Sequence, residues 1–443
     1  APAKAVAKRT VKAVSKAAFR VRSVETAIST LKLAVQTALT APTGPVSVEI
    51  PIDIQSTFIP MPTDLSPLPI PVAVPAPEAL DLVAERLASA TRPLLWLGGG
   101  ARHAGPQVKR LLDMGVGVIT STQGRGVVNE DDERCLGAFS QNKLVEQFLQ
   151  SCDALLIAGS RLRSNETFKY ALKLPRNTLR IDANPAIEGR SYNSELFICG
   201  DAALALEGLA DRLEGRLQID PTFLAELKAV REKSRTQLIA DLGPYSAMVE
   251  QLQAITGRNF SWVRDVTLSN SIWGNRLLTL YHPRAGVHAL GGGIGQGLSM
   301  GIGAAVAAAE TAPERKVFAL AGDGGFILNL GELATLVQEN ANVVILLMND
   351  QRYGVIRNIQ DAVYGSRHCY VDLHTPDYSK LAESLNLRHG LVTDLKDFGK
   401  VVDGALAQPG PFLLEVDMLA VGSFATQFAG PPNSETKAQK ATA

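Results

Sequence analysis

The segment from Lys316 to Asp350 restricts the fold of this 443-residue chain more than any other. Its two apolar runs, residues 316–321 and 342–348, have the length and composition of buried strands. Residues 330–338 between them carry apolar side chains at helical spacing. A strand, a helix and a strand of this length form a right-handed crossover in which both strands are parallel. The segment therefore predicts an α/β fold built on a parallel sheet.

Each of the two strands is followed by residues suited to a metal-bound phosphate. The first strand runs into Gly322-Asp323-Gly324-Gly325, and the second runs into Asn349-Asp350. The carboxyl ends of neighbouring parallel strands share one edge of the sheet, where open α/β sheets bind ligands, so we expect both aspartates to meet there. Two oxygen ligands beside a glycine turn favour Mg²⁺ holding a diphosphate. On its own, a Gly-Asp-Gly turn also fits an ordinary strand ending.

A second glycine-rich element precedes this unit along the chain. Residues 291–303 read Gly-Gly-Gly-Ile-Gly-Gln-Gly-Leu-Ser-Met-Gly-Ile-Gly and lead directly into an alanine-rich helix. Small residues let a backbone approach a ligand closely, and they also let a helix pack tightly on a sheet. Taken alone, the element supports ligand binding and packing about equally.

Composition excludes several classes of function. Lys+Arg and Asp+Glu number 44 each, so the charge balance does not predict a nucleic-acid partner. The four cysteines form no metal-binding or C-x-x-C spacing, which favours buried, reduced thiols in a cytosolic protein. No apolar run approaches the roughly 18 residues of a membrane helix. Residues 1–20 are basic and acid-poor but lack the features of a targeting signal, so we expect a cytoplasmic protein without a membrane partner.

Shifts in composition divide the chain into segments. A stretch rich in proline is extended and semi-rigid, and it marks a boundary near residue 60. The segment before it holds an amphipathic helix and a strand that runs to Asp53, which look like the end of an α/β domain. The predicted segments are 1–59, 60–77 (linker), 78–213 (central domain), 214–244 (helical linker), 245–419 (carboxy-terminal domain with both glycine elements) and 420–443 (a tail with a disordered end).

The central segment alternates strand and helix patterns, which predicts an open parallel sheet of about six strands. Its first strand ends in Gly98-Gly99-Gly100, a sequence that suggests a dinucleotide site. The full G-x-G-x-x-G pattern is missing, so an FAD site is not supported. A tight strand-to-helix turn is the interpretation we favour, and whether the domain binds FAD, ADP or no nucleotide stays open.

The two glycine elements resemble the signature of the thiamine diphosphate-dependent enzymes of the acetolactate synthase and 2-oxo acid decarboxylase family. In that family Gly-Asp-Gly is followed, after some two dozen residues, by Asn-Asn, and here Gly322-Asp323-Gly324 is followed by Asn349-Asp350. Residues 123–131 resemble a central-domain stretch of the family, and residues 44–53 resemble the closing strand of its pyrimidine-binding domain. The resemblance implies a central Rossmann-like domain, a carboxy-terminal diphosphate-binding domain, and residues 1–59 as a remnant of an amino-terminal pyrimidine-binding domain.

The resemblance also implies roles for individual residues. Mg²⁺ would be bound by Asp323, by Asp350 in the place of the usual asparagine, and by the backbone carbonyl of Arg352. The extra carboxylate should tighten Mg²⁺ dependence, because hard cations accept carboxylate oxygens. Ile294 would wedge under the cofactor and bend it, with a core isoleucine as the alternative. The implied cofactor-binding residues are Gly293, Ile294, Gly295, Gly322, Asp323, Gly324, Gly325 and Asn349.

The implied activity is thiamine diphosphate- and Mg²⁺-dependent decarboxylation of a 2-oxo acid, with or without a following carboligation. A dedicated acetolactate synthase catalytic subunit is the alternative rather than the first interpretation, because Ile359 stands where acetolactate synthases place a tryptophan. The family's cofactor lies between subunits, which implies a homodimer or homotetramer.

The glutamate that activates the cofactor in this family belongs to the amino-terminal domain. Glu25 and Glu49 are the only glutamates before the linker, and neither matches that position. No catalytic residue can therefore be assigned. We expect an amino-terminally truncated enzyme that is weak or inactive alone, and a non-catalytic thiamine diphosphate-binding or assembly subunit is a second alternative.

Overall fold

The structure is a computed structural model that describes residues 10–430, and the predicted α/β fold with parallel sheets is confirmed. The end of the predicted tail lies outside these residues. The strands are β1 (Ala17–Arg20), β2 (Val46–Glu49), β3 (Pro93–Leu97), β4 (Gly117–Thr120), β5 (Ala154–Ala158), β6 (Thr178–Asp182), β7 (Leu196–Cys199), β8 (Phe260–Arg264), β9 (Gly286–His288), β10 (Lys316–Gly322), β11 (Val344–Asn349), β12 (Arg388–Val392) and β13 (Phe412–Asp417).

Helices connect these strands. The α-helices include Ala27–Leu39, Ile52–Gln55, Pro77–Ala88, Gly105–Asp113, Lys143–Ser151, Ala202–Leu213, Phe223–Ala240, Tyr245–Thr256, Gly297–Thr311, Asp323–Ile327, Glu332–Gln338, Gly354–Tyr364, Tyr378–Ser384, Phe398–Leu406 and Met418–Val421, and a short π-helix spans Asn270–Gly274. Among residues 10–430, none of the helices combines the length and the apolar character that crossing a bilayer requires.

The amino-terminal segment forms a small strand–helix–strand unit. β1 and β2 pair in parallel, and the Ala27–Leu39 helix lies between them in the chain. The predicted strand up to Asp53 ends early, at Glu49, and a short helix starts at Ile52. Pro51 accounts for this break, because proline has no N–H to extend a ladder but is well suited to the start of a helix.

The proline-rich linker is extended, as its composition predicted. From residue 57 to residue 76 the chain has neither helix nor strand. The linker is nevertheless bonded to the units on both sides of it. Gln36 donates to the carbonyl of Pro69 at 2.6 Å, and the N–H of Asp201 donates to the carbonyl of Ala73 at 2.7 Å. The linker therefore runs from the amino-terminal unit onto the central domain.

The central sheet has the order β4-β3-β5-β6-β7, with five strands rather than the six or so expected. This is a doubly wound order: β4 is added on one side of β3, and β5, β6 and β7 are added on the other side, so the strand order reverses between β3 and β5. Both of these strands are buried along their whole length, as expected for a parallel sheet with helices on both faces. The helices of one face span residues 77–88, 105–113 and 202–213, and those of the other span residues 143–151 and 223–240.

The Gly98–Gly100 turn forms the tight strand ending that the sequence favoured. The N–H of Gly98 donates to the carbonyl of Ala158 at 2.9 Å, and the N–H of Gly100 donates to that of Gly159 at 3.0 Å. A Cβ atom at Gly98 would lie 2.1 Å from the Gly159 carbonyl oxygen. Two of the N–H groups that could hold a phosphate are thus bonded to the neighbouring strand ending.

The carboxy-terminal sheet has the order β12-β13-β11-β10-β8-β9, which places β10 and β11 at its centre. Their register runs from Phe318 opposite Val344 to Gly322 opposite Met348. The predicted crossover helix begins at Glu332 rather than at residue 330. A short helix that the apolar pattern did not predict, Asp323–Ile327, follows β10 directly.

The cysteines only partly match the expectation of buried, reduced thiols. All four are free. Burial raises the pKa of the Cys135 and Cys152 thiols to about 12, so these two are unreactive at neutral pH. Cys199 and Cys369 are exposed, contrary to the expectation.

We expect the substitution Gly98→Ala to destabilise the protein, because its methyl group would overlap the Gly159 carbonyl. Overpacking of this kind costs roughly 1–3 kcal/mol or more. Gly404→Ala is the matched control, since a Cβ atom at Gly404 would meet no atom within 4 Å. Thermal unfolding of both variants tests this, and an unchanged melting temperature for Gly98→Ala would contradict the tight turn.

Candidate diphosphate and metal site

Two carboxyl groups meet at the carboxyl ends of β10 and β11. Asp323 is only 1% exposed and follows β10, while Asp350 follows β11. The two carboxyl groups are close enough for Asp323 to raise the pKa of Asp350. The predicted meeting of these aspartates is therefore present in the structure.

The carboxyl pair is electrostatically unfavourable without a cation. Burial and the adjacent Asp323 raise the pKa of Asp350 to about 7. Burial also raises the pKa of Asp323. In the described part of the chain, the Oδ2 atom of Asp323 is buried and has no hydrogen-bond partner. Both features are those of a site that a divalent cation would relieve.

The backbone of Arg352 lies beside the carboxyl pair. Two hydrogen bonds flank it, from Tyr353 N–H to the carbonyl of Val371 at 2.8 Å and from Leu373 N–H to that of Gln351 at 2.9 Å. The backbone N–H of Arg352 lowers the pKa of both carboxyl groups, so this residue lies near them. The role of the Arg352 carbonyl as a metal ligand stays a prediction.

The glycines after Asp323 have no room for a side chain. A Cβ atom at Gly324 would lie 2.6 Å from the ring of Tyr353. At Gly325 it would lie 2.9 Å from Oδ2 of Asp265 and 3.0 Å from the backbone nitrogen of Gly295. The turn therefore touches the loop after β11 on one side and the second glycine element on the other.

We call residues 290–296 the glycine loop; it consists of Leu290 and the first part of that second element. Gln296 closes it, because its Nε2 donates to the carbonyls of Leu290 and Gly293, both at 2.9 Å. Gly295 has a φ of +90°, which favours glycine. Ile294 is 39% exposed. It is not a core isoleucine, and it remains available to contact a ligand.

Asn349 is turned towards the sheet. It is 6% exposed, and its Nδ2 donates to Oε1 of Glu415 at 2.7 Å. Oε2 of Glu415 lies 3.1 Å from Nε2 of His389. The Asn349 side chain thus supports the loop after β11, and its contact with a cofactor stays a prediction. Sequence reasoning missed Glu415, although a carboxylate inside the apolar strand β13 was a usable signal.

Asp265 was also missed. It follows β8 as Asp323 follows β10, and it is fully buried. Its Oδ2 accepts the N–H of Gly295 at 2.9 Å, and its Oδ1 accepts that of Val266 at 2.7 Å. An aspartate directly after an apolar strand was the signal that could have found it.

The donor set suits Mg²⁺ better than softer metals. Residues 10–430 hold no group of three or more His, Cys, Asp or Glu residues that could share a metal ion. The site therefore offers the carboxylates of Asp323 and Asp350 as its charged oxygen ligands. Mg²⁺ is commonly held by one or two carboxylates, with waters and phosphate oxygens completing its shell. The residues present fit Mg²⁺ bound to a diphosphate.

Comparison with known proteins gives two family matches. Residues 80–209 match the family model described as "Thiamine pyrophosphate enzyme, central domain". Residues 268–416 match "Thiamine pyrophosphate enzyme, C-terminal TPP binding domain". Thiamine pyrophosphate is another name for thiamine diphosphate.

Among similar proteins, the "Probable acetolactate synthase large subunit" of Methanocaldococcus jannaschii is 26% identical over 96% of this chain and 77% of its own length. "Acetolactate synthase 1, chloroplastic" of Nicotiana tabacum is 27% identical over 84% of this chain and 59% of its own length. The protein of that name from Oryza sativa is 26% identical over 84% of this chain and 61% of its own length. The chain thus spans less than two thirds of these two plant relatives.

We expect Asp350→Asn to remove a pH dependence of stability in the metal-free protein. The folded-state pKa of about 7 exceeds the ordinary value of 3.8, so the folded state binds the proton more tightly. The stability this contributes is present below the ordinary pKa and is lost as the pH rises towards 7. At pH 8 without divalent cations, the variant should melt roughly 2–8 °C above the parent.

Melting curves from pH 4 to pH 8 in a chelator test this. The matched control is Asp394→Asn, because Asp394 also caps a backbone N–H, that of Lys396, but lies at the surface. Curves for the parent and Asp350→Asn that stay parallel across this range would contradict the buried carboxyl pair.

Proposed function

This chain belongs to the thiamine pyrophosphate-dependent, acetolactate synthase-like enzymes, and we propose that it binds thiamine diphosphate through Mg²⁺ to decarboxylate a 2-oxo acid. The observation that carries the proposal is the contact between Asp323 and Asp350 beside a turn without room for side chains. Burial and the proximity of the two carboxyl groups raise both pKa values although the charge of Arg352 acts on Asp350 in the opposite direction, and a divalent cation would relieve this cost. The backbone N–H groups of the glycine turn next to them favour a phosphate ligand.

Different residues at this edge of the sheet would bind the cation and the diphosphate. Asp323, Asp350 and the backbone of Arg352 would hold the cation. Gly324 and Gly325 would let the diphosphate approach the backbone. When bound, the cofactor supplies the electron sink for loss of CO₂.

Apolar side chains line the approach to the glycine loop. Ile294 is 39% exposed and Leu328 is 55% exposed. The Cβ atom of Leu328 lies 3.3 Å from the point where a Cβ at Gly295 would be. Exposed apolar surface beside convergent polar groups is typical of a ligand site, where it excludes water once covered. We propose that Ile294 contacts the cofactor there.

A dedicated acetolactate synthase is the alternative. The similar proteins from Methanocaldococcus jannaschii and Nicotiana tabacum, both named as acetolactate synthases, favour it. Ile359 lies on the Gly354–Tyr364 helix, at the position where the resemblance would require a tryptophan. Decarboxylation is therefore our first proposal, and carboligation is the step that distinguishes the alternative.

We propose a homodimer or homotetramer located in the cytoplasm.

Asp323→Asn should weaken Mg²⁺-dependent binding of thiamine diphosphate by at least tenfold while leaving the fold intact, because it removes one charged ligand of the cation. Titration calorimetry with thiamine diphosphate, with and without Mg²⁺, measures this. Asp394→Asn is the control and should bind as the parent does. Unchanged affinity in Asp323→Asn would rule out the metal assignment.

Incubation of the chain, together with an amino-terminal domain that carries the family's activating glutamate, with Mg²⁺, thiamine diphosphate and a panel of 2-oxo acids should release CO₂ from at least one acid, and release should be slow or undetectable without that domain. The aldehyde should be the product if the chain is a decarboxylase, and a 2-hydroxy-2-methyl-3-oxo acid should form from pyruvate if it is an acetolactate synthase. Measurable cofactor binding without CO₂ release from any acid would instead support the non-catalytic alternative.

A further inference from the structure

We infer that Asp265 is a positioning residue that holds the glycine loop against the Gly322–Gly325 turn and so sets the place of Ile294 in the site. The inference rests on the proposed function for its role towards the cofactor. Its structural part, that Asp265 holds the loop, can be tested in the ligand-free protein.

The backbone of Asp265 is attached to the strand that carries Asp323. Its N–H donates to the carbonyl of Leu320 at 2.9 Å. This bond continues the parallel pairing of β8 and β10 beyond its last register pair, Arg264 opposite Leu320. Leu320 precedes Gly322 by two residues. Asp265 therefore keeps a fixed distance from the end of β10.

The carboxylate of Asp265 is attached to the glycine loop. Its Oδ2 accepts the N–H of Gly295 at 2.9 Å. On the other side of this residue, the side-chain amide of Asn329 donates to the Gly295 carbonyl. Asn329 follows the short Asp323–Ile327 helix. The backbone of Gly295, next to Ile294, is therefore held from both sides by residues anchored to the end of β10.

The side chain of Asp265 is tightly packed against both glycine elements. A Cβ atom at Gly297 would lie 2.8 Å from Cβ of Asp265, and one at Gly325 would lie 2.9 Å from its Oδ2. Both glycine elements thus touch the same side chain at close range. A change at Asp265 should alter the distance between the two elements.

The charge of Asp265 is costly, which argues that it is not a mere packing residue. The side chain is fully buried, and it forms no ion pair within the described residues. Backbone N–H groups compensate it, and burial still raises the pKa of Asp265. A buried carboxylate without a cation destabilises a fold unless hydrogen bonds offset the loss of its hydration. Here the bond to Gly295 joins the two halves of the site.

The first test is hydrogen exchange in the ligand-free protein. In Asp265→Asn, an amide can accept a bond at only one of its two ends, so either Gly295 or Val266 loses its acceptor. We expect amides of residues 293–297 to exchange at least tenfold faster than in the parent. Asp201→Asn is the matched control, because Asp201 caps the N–H groups of Ala203 and Leu204 in the central domain at 2.9 and 3.1 Å. Unchanged exchange at residues 293–297 would overturn the inference.

The second test compares rate with affinity in the presence of Mg²⁺ and thiamine diphosphate. Misplacement of Ile294 should lower CO₂ release at saturating cofactor by about tenfold or more, with a smaller change in cofactor affinity. Asn329→Ala removes the other bond to Gly295 and should act in the same direction if Asp265→Asn does not fold. Faster loop exchange with an unchanged rate would mean that the contact is only structural and would refute the positioning role.

The two proposals can fail separately. If the parent chain binds no thiamine diphosphate in the presence of Mg²⁺, the proposed function is wrong and the role of Asp265 towards the cofactor is wrong with it. The exchange experiment would still decide whether Asp265 holds the glycine loop. If the parent binds and turns over but Asp265→Asn behaves identically in both tests, only the inference about Asp265 fails.

Discussion

The contact between Asp323 and Asp350 is the constraint on which the rest of this structure depends. The buried Asp323 and the half-buried Asp350 meet because β10 and β11 are adjacent, parallel and in a register that ends both strands at the same edge. Two adjacent carboxyl groups that are shielded from water cannot both ionise without a cost in free energy. A positive charge bound between the two carboxylates would offset this cost, and a divalent cation that prefers oxygen ligands is the simplest one.

The surroundings of the pair are arranged to keep it in place rather than to neutralise it. Glu415 of β13 holds the amide of Asn349, which directly precedes Asp350. Asp265 at the end of β8 holds the glycine loop beside the turn that contains Asp323. These supports come from the two strands that flank β10 and β11 in the sheet. The sheet order therefore explains why the supporting residues are distant in sequence but close in space.

The sequence predicts the parts of this arrangement that depend on local pattern. Apolar runs of strand length with a helical run between them were enough to place Asp323 and Asp350 at one edge. The short helix after Asp323 escaped prediction because it contains two glycines, which disfavour helices unless tertiary contacts compensate. Asp265 and Glu415 escaped because their partners are some 30 and 66 residues away, and no local pattern encodes such distances. The orientation of the Asn349 amide towards Glu415 escaped prediction for the same reason.

The segment 123–131, singled out in the sequence only by resemblance, has a physical role in joining the two large domains. Arg125 is buried and pairs with Glu130 at 2.6 Å, and Glu130 in turn accepts the N–H of Leu280 at 2.8 Å. Gly126 passes so close to the carboxy-terminal domain that a Cβ atom there would lie 2.3 Å from the carbonyl oxygen of His282. These contacts fix the chain just before β9, and β9 leads into the glycine loop. The central domain thus supports the candidate site by holding the strand from which the glycine loop begins.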